Sequence, residues 1–223
     1  MIKEFNLKNK KITIYNNDNN QNKPIIIYNS FEGNALELWN KCLEIKCQPF
    51  ILVVIDNINW DDEMTPWETP SLFKGEVGSK GIADQYLLFL EQDLIPIIQR
   101  EYKPECYILA GYSLGGLFTI YSIYKTLIFS RFVSCSGSLW YPQFLDYALK
   151  TKIKTLPTKV YFSLGDKEKN THNLVDSVVE DNTLKIYNKF KENNIDTIFE
   201  LNPGGHFKDV YLRIAKGIKW ILE

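Results

Sequence analysis

The sequence predicts a three-layer α/β sandwich, with helices on both faces of a mostly parallel central sheet of about eight strands. Three observations carry that expectation. Short β-branched or aromatic runs alternate with stretches of helical periodicity along nearly the whole chain. One of them, residues 50–55 (FILVVI), is apolar at every position, as a parallel strand covered on both faces must be. A third run, at 106–110, passes through Gly111-Tyr112-Ser113-Leu114-Gly115 directly into a helix-like segment.

Taken in order, residues 2–7 and 10–16 read as two short strands, followed by the polar turn NNDNNQNK. Residues 25–28 form a third strand, leading through Asn29-Ser30-Phe31-Glu32-Gly33 into a helix carried by Leu36, Trp39 and Leu43. The 50–55 run belongs near the sheet centre. No periodicity persists from 56 to 81, and a connection of that length in a compact domain is usually a functional loop or cap; this one holds Trp60, Met64 and Trp67. Residues 84–100 predict one amphipathic helix with Tyr86, Phe89, Leu90, Leu94 and Ile97 on a face, Asp84 as N-cap and a kink at Pro96.

After the 106–121 strand and helix come a strand at 132–135, the loop Ser136 to Pro142, and a short helix near 143–150. Residues 159–164 are the next strand. Helical material runs from about 170 to 194, with a break expected near Asn182, and a last strand follows at 197–201. Phe207, Val210, Tyr211, Ile214, Ile218 and Ile221 then mark a closing helix.

The 223 residues, 45% of them hydrophobic, suit one packed domain over 1–223. A formal net charge of -1 provides no field to draw nucleic acid or an anionic membrane, so a small-molecule partner is expected. No stretch approaches a membrane span, and the N-terminal MIKEFNLKNKK lacks the apolar core of a secretory signal, which makes cytoplasmic the expected location. Cys42, Cys47, Cys106 and Cys135 show no C-x-x-C pairing, so free thiols and no metal site are expected, with Cys106 and Cys135 in strands.

The G-x-S-x-G pattern at a strand-to-helix junction marks Ser113 as a nucleophile held in a strained turn, with flanking glycines that let strand and helix approach. Together with the element order, this is the α/β-hydrolase arrangement. A serine hydroxyl needs a base, and only two histidines are present. The order nucleophile, acid, histidine selects His206, in Pro203-Gly204-Gly205-His206 after the last strand. His172, near a polar helix start, reads as a solvated surface residue. The acid should follow the strand ending at Leu164, where Asp166 and Glu168 are both candidates. Oxyanion donors should be the backbone N–H of Leu114 and one from the Ser30–Phe31 turn.

Several stretches carry a resemblance: Met64-Thr65-Pro66-Trp67, the helix from Tyr86 to Pro96, AGYSLGGLF at 110–118, SGSLWY at 136–141 and GGH at 204–206. Over nearly the whole chain the sequence resembles the putative esterase family related to esterase D, which includes trilactone siderophore esterases. The resemblance implies ester hydrolysis through an acyl-serine with no cofactor. It carries the acid to Glu168, three residues past the strand-ending glycine, although some siderophore esterases of this kind work with a Ser-His dyad. Acyl transfer, thioester hydrolysis and a non-catalytic binding module are the alternatives. The capping stretch departs from a site for an anionic ferric catecholate, because Asp56, Asp61, Asp62, Glu63, Glu68 and Glu76 outnumber Lys74 and Lys80. Trp60, Trp67, Trp140 and Tyr141 suit an apolar or aromatic acyl group.

Overall fold

The computed structural model describes residues 2–18, 20–31, 33, 35–72, 75, 77–170, 175 and 177–223. Among them, eight strands form one sheet in the order β1-β2-β4-β3-β5-β6-β7-β8. The strands are β1 (Ile2–Leu7), β2 (Lys10–Tyr15), β3 (Ile25–Asn29), β4 (Ile51–Asp56), β5 (Tyr107–Tyr112), β6 (Phe129–Cys135), β7 (Lys159–Gly165) and β8 (Asp196–Asn202). β1 pairs antiparallel with β2 and β2 with β4; every pairing from β4 to β8 is parallel. This is the α/β-hydrolase type of sheet.

The parallel strands alternate between two cores, as a period of two residues requires. Ile25, Ile27, Val53, Leu109 and Phe162 face a core shared with helices α3 (Ala83–Phe89), α4 (Ile95–Gln99), α5 (Leu114–Ser122), α6 (Phe144–Lys150) and α7 (Val179–Glu192). Ile26, Tyr28, Leu52, Ala110 and Val133 face α1 (Ala35–Glu44) and α8 (Val210–Leu222). Helices thus cover both faces, giving three layers.

β4 is buried along its whole length and lies near the centre, third of eight and next to β3, with β2 folded back antiparallel against its outer side. Several local expectations are corrected. The buried face of α1 is Ala35, Leu38, Trp39 and Cys42, leaving Leu36 and Leu43 exposed. The 56–81 connection contains one helical turn, α2 (Trp60–Glu63), and a bridge between Thr69 and Ser79.

The helix expected over 84–100 is interrupted by a π-turn at Leu90–Leu94, in which the Ile95 N–H reaches back to the Leu90 carbonyl. Widening the turn just before Pro96 accommodates a residue with no N–H to donate, and it moves the buried position from Ile97 to Ile98. Asp84 does not cap; it accepts the Tyr121 hydroxyl at 2.7 Å. α7 runs unbroken through Asn182. Phe207 precedes α8 and is 88% exposed, so the apolar stripe starts at Val210. Cys106 lies one residue before β5 and is only half-buried; all four thiols are free.

Candidate active site

Ser113 sits between β5 and α5 with φ 57 and ψ -123, a backbone conformation that a residue with a Cβ rarely adopts. Neighbouring strand ends hold it there. Its N–H donates to the Cys135 carbonyl at 3.1 Å, and the Ser138 N–H donates to the Ser113 carbonyl at 3.0 Å. A Cβ on Gly111 would fall 2.1 Å from the Gly115 carbonyl oxygen, so strand and helix close on each other only because position 111 has none. The hydroxyl is left pointing out of the fold.

His206 reaches that hydroxyl from the loop after β8, its Nε2 lying 3.1 Å from Ser113 Oγ. Its Nδ1 lies 2.8 Å from Glu168 Oε2. Of the two candidate acids, Glu168 therefore meets the imidazole. Asp166 is exposed and instead accepts the Gly204 N–H at 2.8 Å, tying down the loop that carries His206.

Glu168 is almost fully buried, and its other oxygen is surrounded by donors. Oε1 accepts the Gly165 N–H at 2.6 Å, the Ser136 hydroxyl at 2.6 Å and Arg213 Nη1 at 3.0 Å. Burial pushes its carboxyl pKa up, but hydrogen bonds from His206 and Ser136, the His206 charge and the Gly165 amide together outweigh it and hold it below the ordinary 4.5. The carboxylate is the form this site maintains.

Arg213 is 1% exposed, on the inward face of α8. Besides Glu168, it donates through Nη1 to Tyr112 Oη at 3.2 Å and through Nη2 to the carbonyls of Pro203 at 3.2 Å and Gly205 at 2.9 Å. Tyr112 in turn donates to the His206 carbonyl at 2.6 Å. Acid loop, histidine loop and elbow are thus bound to one buried guanidinium. Sequence reasoning missed Arg213, Tyr112 and Ser136. The signal for Arg213 was a single charged residue on the apolar stripe of the last helix, between Val210 and Ile214.

Above Ser113 opens a cavity of about 560 Å³, a size suited to a small organic molecule. Trp60, Trp140 and Tyr141 line it, as do Phe31, Leu114, Tyr211 and Asp61. Trp67 does not. Its indole N–H donates to the Pro142 carbonyl at 3.0 Å, and its ring packs on Tyr141, Phe144 and Tyr147, so it supports the wall from behind.

Two of the cap acids are engaged by lysines. Glu63 pairs with the buried Lys10 at 2.6 Å, and Asp62 pairs with Lys80 at 3.3 Å and accepts the Asn59 amide at 2.9 Å. Asp56 is nearly buried beneath the Phe31 turn, and Glu68 is exposed away from the lining. His172, Glu32, Lys74 and Glu76 lie outside the described residues. Among the described residues no His, Cys, Asp and Glu cluster could hold a metal, and no helix is long and apolar enough to cross a membrane.

The family described as Putative esterase matches residues 9–206, ending at the candidate base. The chain is 27% identical over 165 residues to the uncharacterized protein YbbA of Bacillus subtilis (strain 168), covering 71% of this chain and 66% of that one. It is 26% identical over 156 residues to the ferri-bacillibactin esterase BesA of the same organism, covering 64% of this chain and 53% of BesA. The chain therefore spans between half and two thirds of the curated relatives it matches. Among solved structures, an IroE-like serine hydrolase from Shewanella oneidensis superposes with a TM-score of 0.82 at 18% identity, covering 100% of this chain and 79% of that one.

Proposed function

The chain belongs to the Putative esterase family, and from that premise we propose that it hydrolyses a small-molecule carboxylic ester through an acyl-serine on Ser113. The observation that carries this is the relay from Ser113 Oγ through His206 to a buried, ionised Glu168, with steps of 3.1 and 2.8 Å.

In the first half-reaction Ser113 Oγ attacks the ester carbonyl carbon while His206 Nε2 takes the hydroxyl proton. The negative charge that develops on the carbonyl oxygen needs donors already in place. The Leu114 N–H, opening α5 beside the nucleophile, is one. Ser30 cannot supply the second, because its N–H is spent on the Ile55 carbonyl at 3.0 Å; that leaves Phe31, whose ring packs on Trp60 at the cavity wall. The imidazolium then returns its proton to the departing alkoxide. In the second half, water gives a proton to His206 and attacks the acyl carbon, releasing the acid and restoring Ser113. Glu168 holds Nδ1–H throughout, so that Nε2 is the free acceptor when each nucleophile arrives.

No described lining residue is a lysine or arginine. An anionic catecholate would lose hydration there without gaining a cation, which disfavours a siderophore as substrate. The reading includes action in the cytoplasm on a small ester, by a single catalytic domain. It is tested with 4-nitrophenyl acetate and a fluorophosphonate probe. Turnover and labelling should both be present in the wild type and absent in Ser113→Ala; turnover that persists unchanged in that variant rejects the mechanism.

A further inference from the structure

One carboxylate of the cap lines the cavity without a neutralising partner among the described residues. Asp61 lines the cavity beside Trp60, and its side chain has no hydrogen bond or ion pair among the described residues. Its neighbours Asp62 and Glu63 are each engaged by a lysine. Among the described lining residues Asp61 is the only aspartate, glutamate, lysine or arginine. The rest of the wall is rich in rings, including Phe31, Trp60, Trp140, Phe207 and Tyr211. Phe31 and Trp60 meet with centroids 5.3 Å apart, and a Cβ on Gly115 would come within 3.0 Å of the Trp60 ring, so this aromatic pair stands directly over the elbow.

A single carboxylate at the edge of an aromatic wall attracts one kind of group. Ring faces draw cations through their quadrupoles, most strongly when the cation is weakly hydrated, and the Asp61 carboxylate, exposed at the rim and so partly screened by water and salt, adds an attractive charge beside them. The same field repels an anionic substrate. Resting on the hydrolase reading above, we infer that the cavity selects esters bearing a cationic group, an alkylammonium or guanidinium, with Asp61 as the residue that sets the preference and the rings of Trp60 and Phe31 as its support.

Two butyrate esters of nearly equal shape provide the test: butyrylcholine, which is cationic, and 3,3-dimethylbutyl butyrate, its uncharged isostere. Rates of acid release are followed by pH-stat for the wild type, Asp61→Asn and Asp61→Lys. Because the two alcohols differ in intrinsic reactivity, the quantity read is the ratio of kcat/KM values and how each variant changes it. The cationic-to-neutral ratio should fall about tenfold in Asp61→Asn and further in Asp61→Lys, and in the wild type it should decline as salt rises from about 0.01 to 0.5 M. A ratio that stays within about twofold across all three proteins, while the neutral ester is turned over, overturns the inference and leaves the hydrolase reading standing. If the wild type turns over neither ester, nor 4-nitrophenyl acetate, the hydrolase reading fails and this inference fails with it.

Discussion

Replacing Glu168 with glutamine should cost far more than the loss of one charge suggests, and the reason is directional. Oε1 is met by three donors, from Gly165, Ser136 and Arg213, at 2.6, 2.6 and 3.0 Å. A glutamine amide has one oxygen, and only that oxygen can occupy this position without setting N–H against N–H. The amide nitrogen is thereby forced into the place of Oε2, 2.8 Å from His206 Nδ1, where it donates. Nδ1 must then accept, the ring proton moves to Nε2, and the imidazole offers Ser113 a hydrogen instead of a lone pair. By analogy with triads whose histidine is locked in the wrong tautomer, kcat should fall about 10⁴-fold, equivalent to ~5 kcal/mol of transition-state stabilisation. Glu168→Ala imposes no tautomer and should lose less, about 10²- to 10³-fold. Initial rates with 4-nitrophenyl acetate, and fluorophosphonate labelling rates where turnover is too slow, would measure both. A glutamine variant within tenfold of wild type would mean that the acid does not set the tautomer and that Ser113 and His206 act as a dyad.

Other consequences can be checked alongside. Arg213→Met leaves a buried carboxylate and two loop carbonyls without their donor; the expected loss is about 3–5 kcal/mol of stability, read from urea denaturation, with Arg213→Lys recovering only part because one ammonium cannot span both loops. Trp67→Phe removes the indole N–H donated to Pro142. It should cost about 1 kcal/mol of stability with KM nearly unchanged, because the ring is behind the wall and not in it; a large rise in KM would return Trp67 to the pocket. For pH, Glu168 is held below its ordinary 4.5 in the folded protein, so between the folded value and 4.5 the unfolded chain binds more protons. Its contribution to stability is present above 4.5 and lost as pH falls through the folded value, and denaturation midpoints of Glu168→Gln should show a shallower acid limb than wild type.

What was readable in the sequence depended on how local the cause was. The elbow was legible because its constraint acts between residues four apart: the Cβ that Gly111 lacks would strike Gly115. Strands and most helices were legible because burial repeats with their periods. The acid was ambiguous because Asp166 and Glu168 lie on the same turn, and only tertiary partners decide which of them turns inward: the Gly204 amide draws one out, and Ser136, Gly165 and Arg213 draw the other in. Arg213 escaped notice because a hydrophobic stripe is recognised by its majority, and one cation within it does not change the period. Trp67 was misplaced because aromatic composition says that a ring will be buried, not on which side of a wall. The surplus of acids in the cap overstated the field at the cavity, since Lys10 and Lys80 neutralise Glu63 and Asp62 from positions that the sequence does not place beside them.

Glu168 and His206 lie 38 residues apart but ride on one continuous ladder. The parallel register of β7 and β8 ends at Gly165 opposite Asn202, and the loops go on pairing beyond it: Asp166 N–H to the Asn202 carbonyl at 2.8 Å, and Lys167 N–H to the Gly204 carbonyl at 3.2 Å. Their relative position is therefore fixed by strand register. Ser113 stands two strands away, just past the end of β5, and Ser136, just past the end of β6, spans the gap by donating to Glu168 while lying 2.9 Å from Tyr112 Oη. A relay fixed in this way by strand ends depends little on the cap, which touches the elbow through Trp60 against Gly115. On the proposed reading, rigid elements carry the chemistry and a long connection carries the choice of substrate. Changes at Asp61 or the cap rings can then redirect specificity while leaving the distances among Ser113, His206 and Glu168 as they are, which is why charge preference and catalytic power are expected to respond to separate substitutions.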